Sequence, residues 1–517
     1  MDWKTILWIT CYVPLLIGLS AYGLHRYTLL FLYWKHSRHE PKPAGRFEEL
    51  PVVTVQLPVY NEMYVMERLL KAVSRLDYPK DKLHIQVLDD STDETVEICQ
   101  REVQKLRDKG FDIELRHRVN RVGFKAGALE EGTKSAKGEF LFILDADFVP
   151  GPGILMEMIH FFTDEKIGMV QTRWGHLNRH YSLLTRIQAM FLDGHLLLEQ
   201  TSRNRAGRFF TFNGTGGMWR KECIAVAGGW EHDTLTEDMD LSYRAQLKGW
   251  NFIFLKDVVC PAELPVDMDG FKSQQHRWTK GSIQTCKKML GTIWRADVPL
   301  LIKLEATAHL TSNFAYLLLI CLCVYTFPQL PAGIPANIGV LLSLPIFIFA
   351  SLSLIIFYIV AQQQLHPKTW LKEIYALPML LALGIGMSIN NGKAVLEAIF
   401  NHESGFVRTP KYGVDQKKTA DVIKSRYKSL KSVATALEVV FAAWFAFMTI
   451  YAIANSIWTS VPFLALFTFG FVYVAFGSSR ARFSIFGSKD DGAVADTAEI
   501  FVAPVVEQVA ESDRKAS

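Results

Sequence analysis

The 517 residues leave room for one sizeable domain and several membrane spans, so length alone does not count domains. Half of the residues are apolar and 12% aromatic, high for a soluble enzyme, and a formal charge of +4 is too small to argue for a nucleic-acid partner. The seven cysteines show neither paired metal spacing nor a disulfide framework, which fits a reducing compartment, and Cys321 and Cys323 read as buried thiols in an apolar run.

The stretch Ile6 to Trp34 is far longer than a signal-peptide core and has no small-residue cleavage site after it, so it reads as a membrane span. His25 and Arg26 interrupt it, which calls for a tilt or for one face kept polar by protein contact. Lys35, Arg38, Lys42 and Arg46 follow at once, and the positive-inside rule puts the next region in the cytoplasm.

From about Val52 to Trp278 the pattern is that of an α/β protein. A buried strand at Val52–Leu57 ends in Pro58-Val59-Tyr60-Asn61-Glu62, and a helical period runs through Met66, Leu69, Leu70 and Val73. A second strand, His84–Leu88, ends in Asp89-Asp90-Ser91, and Ser91 or Thr92 is placed to cap a helix running towards Lys109. Ile113–Leu115 is a third strand, a helix begins near Lys125, and the strand Phe140–Leu144 terminates in Asp145-Ala146-Asp147. Alternating strands and helices imply a mainly parallel sheet with ligands at the carboxyl ends of its strands, where these polar clusters sit.

Four apolar segments follow, Ala308–Phe327, Ile338–Ala361, Ala434–Ala454 and Trp458–Phe476, each about long enough to cross ~30 Å of hydrocarbon. Ile374–Asn390 is interrupted by Pro378, Gly384, Gly386 and Asn390, and nine Lys or Arg residues follow from Lys393 to Lys431. A crossing there would put this basic loop outside, so the segment is expected to be re-entrant or interfacial, giving five spans and a cytoplasmic C-terminus. The small, acidic, polar stretch from Ser488 is expected to be disordered, with no folded regulatory module after the last span.

The chemistry these clusters offer is specific only in combination. Asp145 and Asp147, leaving a strand, suit a hard divalent cation that also binds a diphosphate, although such a pair alone is more often a turn or cap. Thr236-Glu237-Asp238 before the helix Met239–Leu247 is either a capping-box variant or a site for a general base at Asp238. Gln274-Gln275-His276-Arg277-Trp278 sets a guanidinium suited to phosphate beside an indole suited to a sugar face. Lys272, Lys280, Lys287 and Lys288 also fit an interfacial helix with snorkelling cations. His176, His180, His195 and His276 are dispersed and make no metal set.

Taken in order, Leu57–Glu62, Leu88–Ser91, Asp145–Asp147, Gln171-Thr172-Arg173-Trp174, Phe212–Gly217, Thr236–Asp238 and Gln274–Trp278 resemble the inverting glycosyltransferases that include cellulose, chitin and hyaluronan synthases. Within them the chain is most similar to the cellulose-synthase-like enzymes of mannan and glucan backbones. The resemblance implies a GT-A-type nucleotide-sugar domain joined to α-helical membrane segments. It implies that Tyr60, Glu62 and Asp90, with Asp89 adjacent, hold the nucleoside, that Lys125 approaches the diphosphate, and that Asp145 and Asp147 hold Mg²⁺ or Mn²⁺. Asn213, Gly214, Thr215 and Glu237 then line the acceptor side, Asp238 is the base, and Gln274, Arg277 and Trp278 close the site. Phe406, Thr409 and Lys411 are similar to the gating loop of cellulose synthases, with Arg408 where that pattern carries Val. The cyclic-dinucleotide-binding module of the bacterial cellulose synthases is not expected.

The domain map is accordingly 1–50 span and basic segment, 51–267 cytoplasmic transferase, 268–304 interfacial helices, 305–478 membrane region with a gating loop around 402–415, and 479–517 tail. The function implied is processive transfer of hexose from UDP-glucose or GDP-mannose to a β-glycan, β-1,4-linked as in those relatives. Its partners are the nucleotide sugar, the nascent polysaccharide and the bilayer of a bacterial inner membrane or a Golgi membrane, with homo-oligomers or accessory subunits open. Two other readings are a non-processive transferase acting on a lipid and a channel or transporter with a nucleotide-binding sensor domain. Residues Phe406 to Lys411 separate the first from the second, and a need for Asp238 separates both from the third.

Overall fold

In the computed structural model, which describes residues 3–325, 346–402, 411–413 and 433–486, a seven-stranded sheet carries the polar clusters. Its strands are β1 (Val53–Val59), β2 (Leu83–Asp89), β3 (Asp112–His117), β4 (Phe140–Ile143), β5 (Ile167–His176), β6 (Gly217–Arg220) and β7 (Asn251–Ala262). They lie in the order β3-β2-β1-β4-β6-β5-β7, all parallel to their neighbours except β6, which runs against β4 and β5. Strands β2 and β4 are buried along their whole length and β1 almost so, because helices cover both faces of the sheet; β4 reads as a continuous apolar run, whereas β1 and β2 carry buried polar residues that pair across the two strands, Thr54 with His84 and Gln56 with Gln86. The core behind them is built from Val53, Val55, Ile85, Val87, Phe140 and Phe142 on one face and Leu141, Ile143, Trp219 and Phe254 on the other.

The local expectations hold with small shifts at their ends. Helices follow at Met66–Val73, Thr95–Asp108, Phe124–Ser135 and Glu237–Leu247. The expected cap at Ser91 or Thr92 is not made. Thr95 N–H donates to Asp93 Oδ1 instead, and Ser91 and Thr92 serve the neighbouring turn: Ser91 Oγ accepts from Asn61 N–H, and Thr92 N–H donates to Asn61 Oδ1. The capping box at Thr236 is not made either, since its side chain accepts no cap bond and meets Thr285 instead.

Five helices among the described residues are long and apolar enough to cross a membrane: Thr10–His36, Ile348–Leu365, Trp370–Ile399, Ala434–Ala454 and Val461–Ser478. The segment expected to be re-entrant thus qualifies as a span by length and composition. It is more buried than the other four and is built of three short helices, Trp370–Ile374, Leu377–Gly386 and Ser388–Ile399. The span expected over Ala308–Phe327 is two helices, Leu300–Thr311 and Phe314–Tyr325, bent by 55°. His25, the polar interruption of the first span, meets the Glu305 carboxylate at 3.0 Å. Part of the segment Ile338–Ala361, the residues Phe406 and Thr409, and the tail from 487 lie outside the described residues.

Candidate active site

The carboxyl ends of β1, β2 and β4 open onto one cleft of about 260 Å³. Its wall includes Tyr60, Glu62, Asp90, Lys125, Asp145, Asp147, Asn213, Gly214, Glu237, Asp238, Gln274, Arg277, Trp278 and Lys411. The parallel sheet gathers the residues at its strand ends, while Gln274, Arg277 and Trp278 are brought to them by the helix Met268–Arg295 and Lys411 by the segment after Ile399. Among the described residues, two that were expected are not on the wall. Asp89 is fully buried, accepting from Ser91 N–H and pairing with His117 Nδ1 at 2.8 Å, so it fixes the turn that presents Asp90. Thr215 is buried too, and its Oγ1 accepts the N–H of Asp145.

The turn Asn213–Gly216 is locked by Gln171 and Thr172 on β5. The Gln171 amide donates to the carbonyls of Thr215 and Gly216 and accepts Asn213 N–H, and Thr172 Oγ1 donates to Gly216 O. Trp174 Nε1 donates to Thr215 O. The buried Asn213 Nδ2 is left without a hydrogen-bond partner among the described residues.

Each carboxylate of the Asp145–Asp147 pair meets an ammonium: Lys125 Nζ lies 2.5 Å from Asp145 Oδ1, and Lys411 Nζ 2.6 Å from Asp147 Oδ2. Burial works to lower the Lys125 pKa, but the charges of Asp145, Glu237 and Asp238 outweigh it and hold it above the ordinary lysine value. Two hard oxygen donors that already draw cationic charge fit a divalent ion such as Mg²⁺ or Mn²⁺. The acidic trio Glu231, Asp233 and Asp240 also comes together, but Lys288 Nζ sits among its carboxylates, 2.8 Å from Asp233 and 3.1 Å from Asp240.

Burial, reinforced by the charge of Glu237, pushes the Asp238 carboxyl up to about 7 against the opposing effect of Lys125. Burial also draws the Arg277 pKa down, opposed by Glu237, Asp145, Asp238 and Asp147. Asp238 lies where the cleft meets a second cavity of about 290 Å³, and Trp174, Leu192, Asn213, Thr236, Gln274 and Trp278 belong to both walls. The Trp174 and Trp278 rings stand 6.4 Å apart at this neck. Beyond it the second cavity runs between helices, lined by Phe191, His195, Glu199, Asn313, Tyr316 and Asn391.

Sequence reasoning passed over two arginines beyond the end of β3. Arg118 forks onto Asp90, Nε to Oδ1 at 2.7 Å and Nη2 to Oδ2 at 2.6 Å, and Arg121 lies 3.3 Å over the Tyr60 ring. Their signal was their position just after a strand end. The strain marker there, Phe124 at φ 49° after Gly123 at φ 73°, is visible only in the structure.

Residues 51–281 match the family model described as glycosyltransferase like family 2. Glucomannan 4-beta-mannosyltransferase 2 of Arabidopsis thaliana is 44% identical over 279 residues, 52% of this chain and 52% of its own length. Glucomannan 4-beta-mannosyltransferase 1 of Oryza sativa subsp. japonica is 41% identical over 295 residues, 56% of each chain. The chain thus spans about half the length of the curated relatives it matches. Among solved structures, the mannosyltransferase PcManGT from Pyrobaculum calidifontis in complex with GDP-Man and Mn²⁺ aligns with a TM-score of 0.54 and 21% identity, over 76% of this chain and all of its own. That likeness shows a GT-A-like fold. Residues 51–281 of the chain form a family 2 glycosyltransferase domain.

Proposed function

We propose that the chain is an inverting, processive hexosyltransferase that builds a β-glycan from a nucleotide sugar and passes it between its own membrane helices. The observation that carries this reading is the position of Asp238 on the wall shared by the two cavities, with its carboxyl pushed up towards neutrality. A general base works best with a pKa near the operating pH and within reach of both reactants.

On this reading Tyr60, Glu62 and Asp90 hold the nucleoside, while Lys125, Gln274, Arg277 and Lys411 face the diphosphate. Asp145 and Asp147 would hold Mg²⁺ or Mn²⁺, which when bound supplies Lewis-acid stabilisation of the departing diphosphate. Trp278, Asn213, Gly214 and Glu237 seat the terminal sugar of the acceptor. Its hydroxyl gives its proton to Asp238, the oxygen bonds to the anomeric carbon from the face opposite the diphosphate, and the carbon–phosphate oxygen bond breaks. Asp89 and Thr215 act through the backbone they hold.

The second cavity supports processivity, since aromatic rings and amides suit successive sugars of one chain. The names of the relatives favour a 4-β-mannosyl transfer, and the basic residues after the first span favour a cytoplasmic active site. The test is to give purified protein in nanodiscs GDP-mannose or UDP-glucose with Mg²⁺ or Mn²⁺. Release of nucleotide together with a polymer cut by a linkage-specific glycanase is expected; release with a single-sugar lipid product contradicts processivity.

A further inference from the structure

The helix Met268–Arg295 has two working faces. Gln274, Arg277 and Trp278 face the cleft. Lys272, His276, Lys280 and Lys287 form a stripe spaced four, four and seven residues along another face, so all four point the same way. Every one of them grips the membrane region. Lys272 Nζ meets Glu438 Oε1 at 2.7 Å, and Lys287 Nζ meets the carbonyls of Ala398 and Ile399 at the end of the helix Ser388–Ile399. Between these anchors His276 Nε2 and Lys280 Nζ converge on one carboxylate oxygen, Glu397 Oε2, at 3.1 and 3.2 Å, and Lys280 also donates to His402 O at 2.6 Å.

The residue after Lys280 closes the link to the cleft. A β-carbon on Gly281 would lie 2.6 Å from Thr236 Cγ2 and 2.9 Å from Thr236 N, so the helix presses directly on the backbone that leads into Glu237 and Asp238. Moving Lys280 along its axis moves Arg277 and Trp278 on one side and Thr236 on another.

We infer that Glu397 is a positioning residue for the transfer site: by holding His276 and Lys280 it sets the depth and rotation of the helix that carries Arg277 and Trp278 and backs Asp238. Glu397 lines neither cavity and touches no reacting group, so it acts only through that helix. The inference rests on the proposed function of the cleft.

Glu397→Gln keeps the shape and removes the charge. In the full-length protein in nanodiscs, kcat per folded molecule is expected to fall about tenfold and donor KM to rise with it, because the displaced helix carries Gln274 and Arg277 as well as Trp278. Amide exchange is expected to quicken over residues 272–284 and to stay unchanged in β1, β2 and β4. Lys280→Met carries the same expectation and stands in if Glu397→Gln does not accumulate, and the double variant is expected to be no worse than the poorer single one. Unchanged exchange in that helix, an additive double variant, or an activity loss explained wholly by less folded protein overturns the inference. A wild-type protein that transfers no hexose defeats the proposed function instead, and the exchange measurement then decides the positioning claim by itself.

Discussion

Gly214 lies directly beneath the Asp238 carboxylate: a β-carbon on it would stand 2.9 Å from Asp238 Oδ2 and 3.6 Å from Lys125 Nζ. Its φ of 82° adds a backbone reason for glycine. Gly214→Ala therefore combines a left-handed backbone, costing about 1–2 kcal/mol, with a displaced carboxylate. A fall of several degrees in Tm and about tenfold in kcat is expected from calorimetry and steady-state kinetics. A kcat equal to wild type would separate the Asn213–Gly217 turn from the chemistry.

The raised pKa of Asp238 has two opposite pH signatures. As base it must be ionised, so kcat/KM is expected to rise with pH through about 7 and to level off above. For stability the sign is reversed. A carboxyl raised from its ordinary 3.8 favours folding while protonated, a contribution complete below that value and lost as pH climbs towards about 7. Asp238→Asn is thus expected to melt higher than wild type at pH 8 and to match it near pH 4, as read by thermal shift.

Lys411 Nζ occupies Asp147 Oδ2 at 2.6 Å, and the chain around it is seated by Tyr412 N–H on Glu263 and Tyr412 Oη on Asp267. Lys411→Met removes a cation from the carboxylate and from the proposed diphosphate site. Mn²⁺ titrated by electron paramagnetic resonance is expected to bind about threefold more tightly, and donor KM to rise about tenfold, the scale of one charge-assisted hydrogen bond. Unchanged Mn²⁺ affinity would detach Lys411 from the Asp145–Asp147 pair.

Arg118 and Asp90 are 10% and 4% exposed, so breaking their bidentate pair leaves a carboxylate in poor solvent. Arg118→Met is expected to destabilise the domain by about 3 kcal/mol and to raise donor KM. Arg118→Lys is expected to recover little, because an ammonium cannot fork onto both oxygens. Full recovery by lysine would show that only the charge matters.

The strands were legible because β4 is a short apolar run and β1 and β2 place an apolar residue at every second position, and the cleft was legible because its carboxylates follow those strands at once. Arg118 and Arg121 were not, since a charge after a strand end looks like solvated surface until the β2–β3 register sets His117 beside Asp89 and brings Arg118 over Asp90. The bend between Leu300–Thr311 and Phe314–Tyr325 escaped because a hydropathy window averages across Ser312 and Asn313. Glu397 escaped for a similar reason. A carboxylate one turn after Lys393 suggests only a local helix pair and gives no sign that His276 and Lys280, over a hundred residues earlier, will close on it.

The central claim is that Asp238 removes the acceptor proton at the junction of the two cavities. The direct measurement compares wild type with Asp238→Asn in a single turnover, with donor affinity taken from calorimetry on the same preparations. Donor binding within about twofold of wild type and transfer slowed by at least ~10³ is the expected result, the scale of a lost general base. Transfer at the wild-type rate, with the donor bound equally well, would contradict it.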